Sequence, residues 1–440
     1  MNDDDFEDLR GPIPGARTRE LTPGLRARES RNVTFFSDRF PVFWESAAGA
    51  TVTDVDGNRY IDLTSAFGVA NVGHSNPYVA STIADQATRL MHGMGDVHPT
   101  EVKAKLFERL AQLLPPQLSK VFLATTGSEA VEAAMKTAML ATGKSAFGYF
   151  RSAYHGLSLG TLAVCGIEKF RAPFAGAVAS GNNLELTYPG FFGDDATSAK
   201  AAIARTIDEL GKRADLAAII VEPIQGRAGT IVPPSGYLAA LRKLCTERGL
   251  LLIFDEIYTG FGRTGTWFAF EREKAVPDIL CLGKAMGGGF PISAAIASDA
   301  IMDAWPVSRG EALHTSTYLG NPMGCAAALS TIDELDRLQL PAHAEKLGHE
   351  LAGRLDALRS HAVVREIRGR GLLWAIDFPD AAVAESVVAG ALARGVIALQ
   401  AGPEGNAVTI APPLVIAERQ LYRAIDILDS IISQQTERPG

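Results

Sequence analysis

Two residues at the ends of short apolar runs could do chemistry together. Leu250 to Phe254 is a continuous apolar run that stops at Asp255-Glu256, and Ile279 to Leu282 is a second that delivers Gly283-Lys284. Such runs read as buried parallel strands, and the carboxyl edge of an open α/β sheet is where ligands are seated. The two residues are 29 positions apart. One chemistry needs a lysine and a carboxylate so offered. Pyridoxal phosphate forms a Schiff base with a lysine, and a carboxylate keeps its ring nitrogen protonated, so that the ring stabilises a carbanion at the substrate α-carbon. The lysine must lose its proton to attack and to shuttle protons, which calls for a partly desolvated site. Each residue alone has a plainer reading, the Asp as a helix cap and the Lys as a solvated side chain. The loop between them, Tyr258-Thr-Gly-Phe-Gly-Arg-Thr-Gly265, and the glycines 287 to 289 set the pair apart.

On this stretch, DEIYTGFGRTG…GKAMGGG, the chain resembles the class III pyridoxal-phosphate-dependent aminotransferases, the group of 4-aminobutyrate and ornithine aminotransferases, from about Phe40 to Leu428. Further segments carry the resemblance. Val121 to Ala124 reads as a strand running into Thr125-Thr-Gly-Ser-Glu-Ala130 and a long helix. A helix start of this kind favours anions, because its N–H groups are unpaired and its dipole is positive there, although Ser128 would serve equally as an N-cap. The resemblance makes Gly127 and Ser128 the phosphate cradle. Tyr154-His155-Gly156 offers an aromatic to stack on a flat heteroaromatic ring, with His155 in a packing or supporting place. In Glu222-Pro-Ile-Gln-Gly-Arg-Ala-Gly229 the resemblance gives Gln225 to the cofactor's 3′ oxygen and Glu222 to support of the site. In Thr315-Ser-Thr-Tyr-Leu-Gly-Asn-Pro322, Thr317 matches the position that reaches the phosphate of a neighbouring subunit, which implies a homodimer with shared sites. Phe67 is either a pocket wall, in a segment that in relatives covers the neighbour's substrate site, or a core aromatic.

The chain departs from the family at two positions. Many relatives carry a glutamate after the Gln-Gly of the second motif and an arginine before Ala-Pro-Pro, the latter binding a substrate α-carboxylate. Here those positions are Arg227 and Thr409. Either Arg227 supplies a cation from the opposite wall, or it points elsewhere and the pocket suits a neutral or polyhydroxylated amine.

The resemblance implies an α/β protein of the pyridoxal-phosphate-dependent transferase fold type I. Residues 1–60 would contribute to a small domain, residues 61–325 would form a large cofactor domain with a mostly parallel sheet, and residues 326–440 would form a small α+β domain. It implies an aminotransferase that moves an amino group from an amine or amino acid to a carbonyl acceptor by a ping-pong mechanism. The same residues would also serve an amino-acid racemase or epimerase. A non-catalytic cofactor-binding protein is disfavoured by the intact set of residues.

The totals agree with an enzyme of small molecules. The 440 residues are 47% hydrophobic and the net charge is −8, with no basic cluster, which argues against nucleic acid as a partner. Four scattered cysteines, Cys165, Cys245, Cys281 and Cys325, suggest a reducing compartment and neither a metal site nor a disulfide frame. No secretory signal and no membrane-length apolar stretch is read, so a cytoplasmic location is expected. Residues 1 to about 30 are expected to be irregular, and a two-residue turn at Asp56-Gly57 to close a hairpin. Helices are expected over about 77–91, 101–114, 197–210, 323–338, 343–358, 381–394 and 417–433, strands over 146–150, 217–221, 363–369, 372–377, 396–400 and 407–410, and a loop-rich stretch over 170–195.

Overall fold

The computed structural model describes residues 6–178 and 182–436. Strands β1 (Trp44–Ala48), β2 (Thr51–Asp54) and β3 (Arg59–Asp62) form an antiparallel meander. A central sheet follows, made of β4 (Lys120–Ala124), β5 (Ala146–Phe150), β6 (Leu184–Leu186), β7 (Leu216–Val221), β8 (Leu251–Asp255), β9 (Ile279–Leu282) and β10 (Ser293–Ala297). Its order is β4-β10-β9-β8-β7-β5-β6. Only β10 runs against its neighbours. In the last part of the chain come β11 (Glu366–Arg370), β12 (Leu373–Asp377), β13 (Val396–Ile397), β14 (Leu399–Ala401) and β15 (Ala407–Ile410). Four of these form an antiparallel sheet, β11-β12-β15-β14, while β13 pairs in parallel with β3.

The middle of the central sheet is apolar on both faces, so helices cover both. β5, β7 and β9 are buried at every residue. Successive side chains of a strand point to opposite sides, and β8 illustrates the division. Ile253 packs with Val131, Ala134 and Ala138 of the helix Gly127–Thr142. Leu252 and Phe254 belong to the other layer, with Leu241, Leu244 and Cys245 of the helix Tyr237–Arg248. Each such burial stabilises the fold by about 1.5–3 kcal/mol. The sheet is thereby held on both faces, and its carboxyl edge is left for the loops.

Several expectations are corrected. The segment before residue 30 is not irregular, because Ala16–Arg28 is a helix. Its polar sequence and internal Pro23 hide it, and its first turn is held from afar by the Asp56 carboxylate, which accepts from Arg17 N, Thr18 N and Thr18 Oγ1. The turn between β2 and β3 is longer than two residues. Asp54 N–H donates to the Asn58 carbonyl, and the Asp54 carboxylate takes up the N–H groups of Asp56 and Asn58, which stabilises the wider loop. The short β6 lies inside the stretch expected to be loop, and the expected strand over 396–400 is divided between two sheets as β13 and β14. β10 and the helix Tyr237–Arg248 were not anticipated. The acidic start of the chain, residues 1–5, and Gly181 of the loop-rich stretch lie outside the described residues.

All four cysteines are free and buried. Among the described residues no helix is long and apolar enough to cross a membrane.

Candidate active site

Because β9, β8, β7 and β5 are neighbours, the residues at or just after their ends gather at one edge. Lys284 follows β9, Asp255 ends β8, Glu222 follows β7, and Tyr154 and His155 lie beyond β5. All five line one cavity of about 650 Å³, together with Gly127 and Ser128 from the helix start after β4.

Asp255 is buried and doubly held. One oxygen lies 2.8 Å from His155 Nδ1 and the other accepts from Ile257 N at 3.1 Å. His155 is itself buried, and its Nε2 has no partner among the described residues. The ring is therefore fixed by its bond to Asp255, in the supporting place expected of it. Glu222 accepts from Tyr154 N at 2.8 Å and from Gly226 N at 3.1 Å. Burial pushes its carboxyl up to about 7, with Asp255 adding to the rise and His155 and the two N–H groups opposing it. Lys284 adopts a left-handed backbone, φ +43°. Burial depresses the proton affinity of its amine, Asp255 and Glu222 counteract this, and Arg227 reinforces it. An amine so placed gives up its proton more readily than an exposed lysine, which is the direction a nucleophile and base needs.

The helix start has the form of an anion cradle. Thr126, not Ser128, is the N-cap: its hydroxyl accepts from Glu129 N, and the Glu129 carboxylate takes up the N–H groups of Thr125 and Thr126. Among the described residues the N–H groups of Gly127 and Ser128 are left without acceptors. Ile257 closes on this turn so tightly that a Cβ on Gly127 would lie 2.9 Å from its Cδ1. Across the turn, a Cβ on Gly156 would lie 2.1 Å from Ser128 Oγ. Two unpaired N–H groups and a hydroxyl at a helix start, a stacking aromatic, a carboxylate and a buried amine fit pyridoxal phosphate.

The outer wall is assembled from distant stretches. Phe67 is not a core aromatic. It is 62% exposed and lines the cavity of its own chain, in a run of left-handed residues, Ser65, Ala66, Phe67 and Gly68. Such conformations are costly for side-chain-bearing residues, and a buried arginine holds them. Arg263 donates to Ser65 Oγ and Asn71 Oδ1 on one side and to the Leu372 and Pro412 carbonyls on the other. Arg227 is exposed at the wall, its guanidinium 3.4 Å from the Gln400 carbonyl, and no carboxylate pairs with it among the described residues. Thr409, buried on β15, and Leu399 lie on the same wall.

Two of the expected residues do not line the cavity of their own chain. Gln225 does not reach the cavity wall, because its amide donates to the Arg151 carbonyl at 3.0 Å behind Gly226. Thr317 is exposed in the loop before the helix Pro322–Arg337 and does not line the cavity of its own chain. Conversely, Tyr258, Val33, Leu157 and Phe170 line it and were not singled out. For Tyr258 a signal existed, an aromatic in the glycine-punctuated loop after Asp255. Val33 had none.

Comparison with known proteins agrees with this geometry. The family model described as aminotransferase class-III matches residues 35–432. The chain is 39% identical over 387 residues to an acetylornithine aminotransferase of Methanopyrus kandleri, covering 88% of this chain and 93% of that one. A PLP-bound amine transaminase from an uncultivated Pseudomonas species superimposes with a TM-score of 0.85 at 29% identity, covering 92% of this chain and 98% of that one. The ornithine aminotransferase of Toxoplasma gondii does so with 0.84 at 28% identity, covering 96% of each. The chain belongs to the class III aminotransferases and is a pyridoxal-phosphate-dependent enzyme of α/β fold type I that transfers amino groups.

Proposed function

We propose that Lys284 and Asp255 are the reacting pair of this aminotransferase. The observation that carries the reading is that a partly desolvated amine and a buried, doubly anchored carboxylate face one cavity from adjacent strand ends. Pyridoxal phosphate, when bound, supplies a carbonyl carbon that condenses with amines and a ring that accepts an electron pair from the substrate carbon. Lys284 Nζ would hold the cofactor through its carbonyl carbon. With its amine free, it takes the proton from the substrate carbon that bears the nitrogen and returns it one atom further along. Asp255 keeps a proton on the ring nitrogen, and His155 fixes the direction in which it does so. Tyr154 covers one face of the ring and keeps water from it. Gly127, Ser128 and the helix start bind the phosphate. Glu222 ties the Tyr154 backbone to Gly226 and so keeps the two loops at their spacing. The amine donor and the carbonyl acceptor use the same cavity in turn.

Arg227 is the anion-recognising residue of the outer wall in this reading. Its support is a guanidinium without a carboxylate partner, facing a wall where Thr409 brings no charge. Phe67 shapes the apolar side of the same mouth. A homodimer with shared sites is part of the reading, supported by Thr317, which is exposed and free to reach a second copy. So is a cytoplasmic location, supported by the cysteines being unpaired. The division at residues 1–60, 61–325 and 326–440 is supported by the pairing of β13 with β3, which ties the start of the chain to its last part.

The test is an absorbance spectrum of the holoenzyme mixed with a panel of amines and amino acids and no carbonyl acceptor. Conversion of the cofactor band by donors that carry an anionic group, and not by their neutral analogues, is the expected result. Conversion by neutral amines alone would remove Arg227 from recognition. An unchanged band while an amino acid loses its optical activity would favour racemisation.

A further inference from the structure

Tyr258 has no part in the roles above, yet it is the most tightly prepared aromatic of the cavity. It stands in the loop that leaves β8, three residues beyond Asp255. Its ring is notched into backbone on both edges. A Cβ on Gly226 would fall 2.2 Å from Cδ1, and a Cβ on Gly68 would fall 2.3 Å from Cε2, on the opposite side of the ring. Neither glycine can take a side chain without expelling the ring. Gly68 in turn belongs to the left-handed run that Arg263 secures through Ser65. The ring also packs on the apolar cluster of Ile224, Leu373 and Ala411. A ring held at both edges cannot turn about its axis, so the direction of its face is fixed.

That face meets Lys284. The amine nitrogen lies over the ring, 4.3 Å from its centroid. Among the described residues this nitrogen makes neither a hydrogen bond nor an ion pair, so the ring is the surface it rests on. An aromatic face is negative at its centre and attracts a cation placed there, more strongly when water is excluded. The charged groups around the nitrogen divide as follows. Asp255, with His155 bonded behind it, and Glu222 favour a proton on the amine, whereas Arg227 and burial oppose one. The charged groups acting on Tyr258 itself are Arg263, Arg227 and Asp62. None of these fixes where the amine sits. The carboxylates are beyond bonding distance and act through space, while the ring touches it.

We propose that Tyr258 is a positioning residue for Lys284: its immobilised ring face seats the lysine nitrogen at one place and holds a proton on it there. The proposal rests on the reading that Lys284 carries the cofactor and moves the substrate proton. A base that alternates between charged and neutral forms needs a place to wait in each form, and the carboxylates are too distant to provide one by contact. The ring supplies it without a hydrogen bond that would have to break at every proton transfer. It is the ring that matters in this scheme. The phenol hydroxyl has no partner among the described residues.

The test is a spectrophotometric pH titration of the bound cofactor in the holoenzyme, in which the nitrogen of Lys284 carries the titrating proton. Tyr258→Phe keeps the ring and is expected to keep the wild-type midpoint. Tyr258→Leu removes the ring, and its midpoint is expected to fall by about 0.5–1.5 pH units, because the protonated nitrogen loses its seat. Tyr258→Met serves the same purpose should the leucine variant not fold. A Tyr258→Leu midpoint equal to the wild type overturns the proposal. So does a Tyr258→Phe midpoint displaced as far as the leucine one, since that would assign the effect to the hydroxyl. Lys284→Ala separates this outcome from failure of the underlying reading. If the wild-type titration survives in Lys284→Ala, the titrating nitrogen is not that of Lys284 and the lysine assignment itself falls.

Discussion

Lys284, Asp255, Glu222 and Tyr154 reach the cavity from the ends of neighbouring strands, whereas Val33, Phe67, Arg227 and Thr409 reach it from four separate stretches of chain. The first group forms a floor whose spacing is set by the hydrogen-bonding of the sheet, and Asp255 sits opposite Cys281, three positions before Lys284, by register alone. The second group forms a wall whose spacing depends on loops, a left-handed turn and a buried arginine. Even adjacent residues divide along this line. Asp255 faces the cavity, while Glu256 turns inward and accepts from Thr259 Oγ1, Ala269 N and Phe270 N, fixing the loop that carries Tyr258. In the proposed function the floor sets which reaction is run, and the wall sets on what.

If that contrast is right, changes to the floor should cost rate on every substrate, and changes to the wall should cost it on some. The largest effect is expected from Asp255→Asn. It preserves shape but cannot hold a proton on the ring nitrogen, and turnover should fall by about a hundredfold or more for all donors, measured in single turnovers. A loss confined to some donors would erase the distinction between floor and wall.

Glu256→Gln tests the support beneath the floor. One oxygen cannot serve all three donors, so the variant should lose about 2 kcal/mol of stability at neutral pH. The pH dependence has a definite sign. Burial raises the Glu256 carboxyl to about 7 from an ordinary value of 4.5. Between those values the folded chain keeps a proton that the unfolded chain has released, so this contribution is full below about 4.5 and is lost as pH rises through 7. Glu222 behaves alike. Thermal unfolding of Glu256→Gln from pH 5 to 8 should therefore lose stability less steeply than the wild type. An equal slope would mean that Glu256 is ionised throughout.

For the wall, Arg227→Ala should raise KM about 10- to 100-fold for donors with an anionic group and leave neutral amines unaffected. Parallel increases for both would turn Arg227 into a structural residue. The smallest effect is expected from Thr317→Ala, which should weaken cofactor retention about two- to tenfold if a second subunit uses this hydroxyl. Unchanged retention would count against a shared site.

The same contrast explains what could be read from the sequence. Strand ends announce themselves, because a buried parallel strand is a short apolar run and its last polar residue is visible. Hence Lys284, Asp255, Glu222 and the helix start at Gly127 were legible. Ser128 was ambiguous as a cap until Thr126 was seen to take that place. β10 was not legible, since Ser-Ala-Ala-Ile-Ala carries little strand preference and owes its place to β4 and β9 on either side. The helix Ala16–Arg28 was hidden because its cap, Asp56, comes from far along the chain. Phe67 was legible as a candidate but not its setting, which depends on Arg263 bridging Ser65 and Pro412. For Gln225 a motif gives the order of side chains and not their bonds: its amide nitrogen donates to the Arg151 carbonyl, while its Oε1 is buried without a partner among the described residues.

The proposed reaction depends on Lys284 being the residue that holds the cofactor. Reduction of the holoenzyme with borohydride, followed by proteolysis and mass measurement of the peptides, tests this directly. The reduced cofactor is expected on the peptide containing Lys284 and on no other. A cofactor found on a different lysine, or released unattached after reduction, would contradict it.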